Sequence, residues 1–189
     1  MIVIGVDPAL GGGFAMCCAH LGDKLTILDA RTVYGLNRTE EMLDLIQGFV
    51  TAYRPSVVIV EADSQQKGLG NDERLRAMGM RHGFTIRPHR TQGKKMDDVF
   101  GVASMDQSFR KGEIRIPWGD QNTIDRMTPL VTQLRAWRPD IKTKNLTQDL
   151  VMALWFIHLY WFELRRVHVE APAPAWRPTE LLLPEPAWA

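Results

Sequence analysis

Hydrophobic and polar residues in the first third of the chain follow the pattern of β-strands. Residues 2–6 form a β-branched apolar run, and residues 14–20 and 25–34 predict two further strands. The segments between them, residues 8–13 and 21–24, contain the glycine, proline and aspartate that are typical of turns. Because connections this short favour antiparallel neighbours, the sequence predicts a three-stranded antiparallel unit at the start of the chain.

The rest of the chain alternates between helix and strand patterns. Apolar residues at helical spacing predict a helix over 38–53, and the β-branched run at 57–60 is typical of a central strand covered on both faces. The further predicted elements are helices over 71–80, 94–109, 120–137 and 147–166 and short strands over 84–88 and 114–117. We therefore expect an α/β domain with a central mixed sheet, three antiparallel strands followed by parallel strands, and helices on both faces.

Composition and the end of the chain narrow the class of protein. The length of 189 residues suits one domain with its own hydrophobic core. The net charge of +1 excludes a histone-like polycation. From residue 171 onward, repeated prolines without periodicity predict an extended or disordered segment. We therefore expect a folded domain at 1–168 and a Pro-rich tail at 169–189.

Two features predict a reduced, intracellular setting. Adjacent Cys17 and Cys18 cannot easily close a disulfide with one another, have no zinc-ligand spacing, and would point to opposite faces of a strand. The N-terminus lacks the basic lead of a signal peptide, and the longest apolar stretch, 150–162, is shorter than the roughly 20 residues that span a bilayer. We expect a soluble protein in which this stretch is a buried helix.

Three carboxylates stand beside the most apolar segments. Asp7 ends the first strand, Glu61 ends the central strand, and Asp149 begins the apolar helix. If the first and fourth strands are neighbours, their carboxyl ends bring Asp7 and Glu61 to the edge where α/β sheets bind ligands, and the last helix can deliver Asp149 there. Each acid also has a structural alternative: Asp7 in a turn, Glu61 as a solvated strand end, and Asp149 as a helix N-terminal residue.

A pocket of three carboxylates has an electrostatic consequence. Converging carboxylates raise one another's pKa values, so a cluster that stays ionised needs a cation. Oxygen ligands suit Mg²⁺ or Mn²⁺, and two such ions about 3.5–4 Å apart can clamp the attacking and leaving oxygens of a phosphodiester. The sequence therefore predicts metal-dependent phosphodiester chemistry.

Several motifs within residues 2–162 resemble those of one nuclease family. The motif I-G-V-D-P-A-L-G-G-G at 4–13 resembles the first motif of RNase H-like nucleases, and V-V-I-V-E-A-D at 57–63 resembles their second acidic strand. Q-D-L-V-M-A-L-W at 148–155 resembles the terminal acidic helix of the nuclease domain in the large subunit of tailed-phage DNA-packaging terminases. The segments G-K-K at 93–95 and F-R-K-G-E-I-R-I-P at 109–117 also resemble that family.

This resemblance implies an RNase H-like fold and a Mg²⁺- or Mn²⁺-dependent endonuclease that cuts double-stranded DNA by two-metal hydrolysis, processing viral genome concatemers. It implies that Asp7, Glu61 and Asp149 are the catalytic and metal-binding residues. Many relatives have two acids where this chain has Gln148 and Asp149, which makes Asp63 a candidate additional metal ligand. A packaging ATPase domain or subunit and a portal protein are the implied partners, in the host cytoplasm.

The chain has no sequence signature of the packaging motor itself. The pattern G-x-x-x-x-G-K-[ST] is absent, and the glycine run at 11–13 is not followed by Lys and Ser or Thr. We therefore expect that this chain binds no nucleotide and no membrane, and that it is either an excised domain or a separate nuclease chain.

Basic residues after the second acidic strand predict contact with DNA. Such cations neutralise phosphates without reading sequence, and a lysine near the site can stabilise charge in the transition state. An ordinary solvated surface, and for the glycine-containing segment 67–71 a plain connecting loop, are the alternatives. His89 is a candidate proton shuttle, although an isolated histidine is more often structural. The candidate DNA-binding residues are Lys67, Arg87, Arg90, Lys94 and Lys95.

Two other interpretations stay open. A RuvC-like Holliday-junction resolvase shares the expected fold and the initial I-G-V-D-P motif, but that family usually carries two acids three residues apart on the last helix, where this chain has Leu146 and Met152 on either side of Asp149. A non-catalytic RNase H-like binding or assembly module is the second alternative. A comparison of cleavage of branched junctions with cleavage of linear duplex DNA distinguishes a resolvase from a terminase-type nuclease. Mn²⁺-dependent nicking of plasmid DNA distinguishes either nuclease from a non-catalytic module.

Overall fold

The computed structural model describes residues 1–8, 13–36, 38–62, 67–91, 97, 101–137 and 148–170. Within these ranges the strands are β1 (Ile2–Asp7), β2 (Gly13–Leu21), β3 (Leu25–Tyr34), β4 (Val57–Glu61), β5 (Thr85–His89) and β6 (Ile114–Arg115). The helices are α1 (Thr39–Tyr53), α2 (Lys67–Gly70), α3 (Glu73–His82), α4 (Ser104–Arg110), α5 (Gln121–Ala136) and α6 (Asp149–Glu170).

The strands form one mixed sheet in the order β5-β4-β1-β2-β3-β6. β2 is antiparallel to both β1 and β3, whereas β4 is parallel to β1, β5 is parallel to β4, and β6 is parallel to β3. The predicted mixed sheet is therefore confirmed, and so is the pairing of the first and fourth strands on which the carboxylate hypothesis depends.

Each face of the sheet is covered by its own set of helices. α1 and α3 pack on one face, and α5 and α6 pack on the other, so two hydrophobic clusters form with the sheet between them. Cys17 belongs to the α6 cluster and Cys18 to the α1 cluster, and both thiols are free. The expectation that these neighbours point to opposite faces is confirmed.

α6 is apolar around most of its circumference because it is covered on more than one side. Eight consecutive apolar residues, Leu150 to Ile157, are buried between the sheet and α5. The helix approaches β1 closely at Gly5, where an added Cβ would lie 2.1 Å from the backbone oxygen of Ala153. Only glycine fits at this contact, so Gly5 sets how closely α6 packs on the sheet.

No helix among the described residues has the length and hydropathy needed to cross a membrane.

Three predicted elements differ from the structure. The prediction of a helix over 94–109 is wrong at residues 101–103, which form a bend and a turn. This irregular segment begins at Gly101, and glycine has a poor helix propensity. The loop predicted at 67–71 contains α2. The strand predicted at 114–117 ends at Arg115, two residues before Pro117, which has no backbone N–H to pair. The predicted tail at 171–189 lies outside the described residues.

Candidate active site

Asp7 and Glu61 end adjacent parallel strands on the same face of the sheet. β1 and β4 pair in register up to Val6, so the next residue of each strand lies side by side. Side chains alternate along a strand, and two residues earlier Gly5 and Ile59 face the α6 cluster. Asp7 and Glu61 therefore face α6 at the carboxyl edge of the sheet, where Asp7 is only 7% exposed.

Asp149 begins α6 and lies at the same edge. A Cβ built on Gly13 would be 2.0 Å from Asp149 Oδ2, so this carboxylate lies directly over the first residue of β2. Gly13 is two residues from Ala15, which is the cross-strand partner of Asp7, and it therefore shares the face of Asp7. All three predicted carboxylates are thus placed at one edge and on one face of the sheet.

The Asp149 carboxylate has an electrostatically costly position. Burial raises its pKa above the usual aspartate range. Its Oδ2 atom is buried and accepts no hydrogen bond from any described residue. The partial positive charge of the α6 N-terminus opposes this cost only in part. A carboxylate oxygen in such a position fits a cation, which would supply the missing partner.

Glu61 is held by a residue that the sequence patterns did not single out. The hydroxyl of Thr91 donates a hydrogen bond of 2.6 Å to Glu61 Oε1. Thr91 follows β5, and the pairing of β5 with β4 continues past Glu61 because the Ala62 N–H donates to the His89 carbonyl at 2.7 Å. No local motif marks this threonine, since its role depends on the register of two strands distant in sequence.

The N-terminus of α6 is fixed in a similar way from α5. The side-chain carbonyl of Gln133, which is 9% exposed, accepts a hydrogen bond of 2.9 Å from the Leu150 N–H. The first N–H groups of a helix have no hydrogen-bond acceptor within the helix, and the Leu150 N–H is one of them. Gln133 therefore positions the helix turn that carries Asp149, and a glutamine within an amphipathic helix pattern gives no sequence signal of this function.

The three carboxylates do not lie close enough together to coordinate a single metal ion. In the described ranges, no three His, Cys, Asp or Glu side chains lie close enough together to hold one ion. Asp63, the candidate additional ligand, lies outside the described residues. Mg²⁺ commonly binds one or two carboxylates and completes its coordination with water and substrate phosphates, which is compatible with carboxylates spread along an edge.

The candidate DNA-binding residues have different surroundings. The Arg87 guanidinium pairs with Glu163 at 2.5 Å and stacks 4.8 Å from the centroid of the Tyr160 ring, so it links β5 to α6. Arg90 is exposed, and both arginines line a cleft of about 510 Å³ between β5, α4 and α6. Lys94, Lys95 and the side chain of Lys67 lie outside the described residues.

His89 has a packed environment. Its ring lies 4.5 Å from the Phe156 ring and 5.3 Å, edge on, from the Trp155 ring, measured between centroids. This contact with two buried residues of α6 supports the structural interpretation of this histidine. The prediction that the aromatic residues of the last helix are core is confirmed for Trp155, Phe156 and Trp161, whereas Phe162 is 37% exposed.

Comparison with known proteins supports the fold. Neither a protein-family model nor a curated protein matches the chain. T. thermophilus RuvC in complex with a Holliday junction substrate matches with a TM-score of 0.54 and 13% identity, covering 88% of this chain and 96% of that chain. The nuclease domain of the P22 large terminase matches with a TM-score of 0.55 and 14% identity, covering 87% and 81%.

A third solved structure belongs to the same group of folds. A variant of the large terminase subunit from bacteriophage sf6, solved with calcium, has a TM-score of 0.51 and 10% identity and covers 82% of this chain and 86% of that chain. Identities this low establish the architecture alone. The RNase H-like fold expected from the motifs is thereby confirmed, and it is shared by terminase nucleases and RuvC-type resolvases.

Proposed function

We propose that this protein is a metal-dependent endonuclease that hydrolyses phosphodiester bonds of double-stranded DNA. The observation that carries the proposal is the placement of Asp7, Glu61 and Asp149 at one edge and one face of the sheet. In open α/β sheets, ligands bind at the carboxyl ends of the strands. A buried carboxylate oxygen normally has a partner, and Asp149 Oδ2 has none among the described residues, which supports a cation site at this edge.

The residues present fit Mg²⁺ or Mn²⁺. Asp7 and Glu61 would hold the ions from the sheet, and Asp149, with its buried and unpaired Oδ2, would hold them from α6. Divalent cations would supply Lewis-acid stabilisation of the charge that develops on the phosphoryl oxygens during hydrolysis. Asp63 is a further candidate ligand next to the second acidic strand.

Basic side chains beside the carboxylates would bind the DNA backbone. Arg90 is exposed at the end of β5 and makes no ion pair with a described residue, so its charge is available to a phosphate. Arg87 would contribute only after its ion pair with Glu163 opens. We include Lys67, Lys94 and Lys95 in this surface on sequence grounds.

The more specific proposal is a role in viral DNA packaging, in the manner of a terminase nuclease. The order of motifs along the chain and the match to the P22 nuclease domain support it. In this proposal residues 1–168 are the nuclease domain and 169–189 a Pro-rich tail. A packaging ATPase domain or subunit and a portal protein are its partners in the host cytoplasm.

A Holliday-junction resolvase is the second candidate function. The match to T. thermophilus RuvC favours it, because the alignment covers 96% of that chain and 88% of this one. The missing second acid of the last helix, where Met152 stands three residues after Asp149, argues against it.

Cleavage of supercoiled plasmid by the full chain, with Mg²⁺ or Mn²⁺, tests the nuclease proposal. Asp7→Asn should lower the rate by about 100-fold or more, because it removes a carboxylate that would hold the metal ions. Asp23→Asn is the matched control, since Asp23 is exposed in the turn after β2 and should leave the rate unchanged. Absence of metal-dependent cutting by the parent protein would favour a non-catalytic module.

Substrate choice separates the two nuclease candidates. A terminase-type enzyme should cut linear duplex and plasmid with similar rates. A resolvase should cut a synthetic four-way junction at symmetric positions and leave linear duplex intact.

A further inference from the structure

The hydroxyl of Thr91 is the closest polar contact of Glu61 that the structure shows. It lies 2.6 Å from Glu61 Oε1, and Thr91 is 8% exposed. An ionised carboxylate can only accept hydrogen bonds, so the threonine must be the donor. A hydrogen bond to a charged acceptor is about twice as strong as one between neutral groups.

The backbone that leads to Thr91 is paired with β4 up to His89. Glu61 is the register partner of His89, and the Ala62 N–H donates to the His89 carbonyl at 2.7 Å. Thr91 follows two residues later, and its β-branched side chain has few accessible rotamers. The hydroxyl therefore lies two residues beyond a paired strand end, on a side chain with few accessible rotamers.

We propose that Thr91 is the positioning residue for Glu61 in the nuclease site, an inference that rests on the proposed function. By engaging Oε1, the hydroxyl restricts rotation of the carboxylate, and Oε2 is the oxygen that would bind a cation. The hydroxyl contacts no substrate, and it acts only through the acid. Removing such an outer hydrogen-bond partner of a metal ligand typically lowers metal affinity or activity by about 10–100-fold.

The chain allows a matched pair of substitutions. Thr91→Val keeps the branched shape of the side chain and removes the hydroxyl, whereas Thr91→Ser keeps the hydroxyl and removes a methyl group. Thr128→Val is the control, since the Thr128 hydroxyl is exposed on α5 and donates only to the Ile124 carbonyl of its own helix.

The test measures Mn²⁺ binding to the full chain without DNA, by titration calorimetry, together with the Mn²⁺ concentration that gives half-maximal plasmid cleavage. Thr91→Val should weaken Mn²⁺ binding and raise the half-maximal concentration by about 10-fold or more. Thr91→Ser and Thr128→Val should stay within about 2-fold of the parent. Thermal melting of each variant verifies that the comparison is between folded proteins.

The outcomes distinguish failure of this inference from failure of the proposed function. If the parent protein shows no metal-dependent cutting, the nuclease proposal is wrong, and if Asp7→Asn cuts as fast as the parent, the site proposed at Asp7 is wrong. If Asp7→Asn is inactive while Thr91→Val binds Mn²⁺ as the parent does, the positioning role is overturned. Equal losses in Thr91→Ser and Thr91→Val would also overturn it, because the hydroxyl would then not be the group that matters.

Discussion

Two carboxylates on opposite faces of the sheet have different surroundings. Asp29, on the α1 face, is 5% exposed, and its two oxygens accept hydrogen bonds from the Ala30 N–H at 2.9 Å and the Tyr53 hydroxyl at 2.8 Å. Asp149, on the α6 face, has a buried Oδ2 that accepts no hydrogen bond from a described residue. Buried charges are normally paired or hydrogen-bonded; the protein satisfies Asp29, whereas Asp149 Oδ2, to which we propose that a cation binds, has no donor among the described residues.

The difference assigns separate tasks to the two faces. On the α1 face the polar contacts join helix to strand: Tyr53 ends α1 and its hydroxyl reaches Asp29 on β3. At the carboxyl edge of the α6 face, by contrast, Thr91 bonds to Glu61 and Gln133 bonds to the first turn of α6. Substitutions on the α1 face should therefore change stability, and those at the α6 edge should change chemistry.

Asp149→Asn and Asp29→Asn break this comparison most directly. Asp149→Asn should lower the plasmid cleavage rate by about 100-fold or more, because the variant lacks the charged oxygen proposed to hold the cation. Asp29→Asn should leave the rate per folded molecule within about 2-fold and lower the free energy of unfolding by about 1–3 kcal/mol, as a hydrogen-bonded buried charge is lost. Cleavage rates and urea unfolding curves of both variants measure the two effects.

The pH dependence of stability provides an independent check on Asp149. Because burial raises its pKa in the folded state, the stability linked to its protonation is present at acidic pH and is lost as the pH rises through the raised value. An amide at this position cannot ionise, so the loss should disappear in Asp149→Asn. Mn²⁺ should raise the melting temperature of the parent and have a smaller effect on the variant. Equal effects of Mn²⁺ would contradict a cation site here.

Gly13→Ala sharpens the comparison by leaving every charge in place. The new Cβ would meet Asp149 Oδ2 at 2.0 Å, so the carboxylate must move. A displacement of about 1 Å at a catalytic group can lower the rate by roughly 100-fold, and we expect the cleavage rate to fall by about 10–100-fold.

Gly48→Ala is the control, because a Cβ on this α1 glycine meets nothing within 4 Å. It should keep the rate and stabilise the helix by about 0.5–1 kcal/mol. An unchanged rate in Gly13→Ala would show that the position of Asp149 is unimportant.

Sequence patterns could predict the elements that depend on local composition. The apolar runs that end in Asp7 and Glu61 indicated buried strands, and the observed parallel pairing of these strands is the one that the hypothesis required. The apolar run of α6 likewise indicated a buried helix. These features follow from hydrophobic periodicity, which each segment carries within itself.

The fine structure of the site depends on contacts between segments that are distant in the chain. The Thr91 hydroxyl meets Glu61 across 30 residues, and Arg87 meets Glu163 across 76, so neither contact has a local signature. Gly13 was predicted to lie in a turn, but it begins β2 and makes room for Asp149. Such contacts follow from strand register and helix packing, which a single sequence does not display.

Tyr53→Phe tests the α1 face with a smaller change. Burial, with the neighbouring Asp29 as the second cause, raises the pKa of Tyr53 to about 12, which shows that its hydroxyl stays protonated as a donor. Loss of this hydrogen bond to a charged acceptor should lower the free energy of unfolding by about 1.5 kcal/mol without changing cleavage. A double-mutant cycle with Asp29→Asn measures the coupling. Additive effects of the two substitutions would mean that the contact contributes nothing.

The smallest expected effect concerns His158, a fully buried residue of α6 that is distant from the carboxylates along the helix. Its Nε2 lies 3.0 Å from Ser108 Oγ, and burial lowers its pKa from 6.5 to about 4. A lowered pKa means that the stability it contributes is present above pH 6.5 and is lost as the pH falls towards 4.

The loss linked to His158 should amount to roughly 1 kcal/mol between about pH 6.5 and about pH 5.5. Urea unfolding at a series of pH values measures it, and His158→Leu should show a flatter profile over this interval. His20→Leu, which removes an exposed histidine, is the control for the substitution itself. If the parent and His158→Leu lose stability in parallel, another group is responsible for the acid sensitivity.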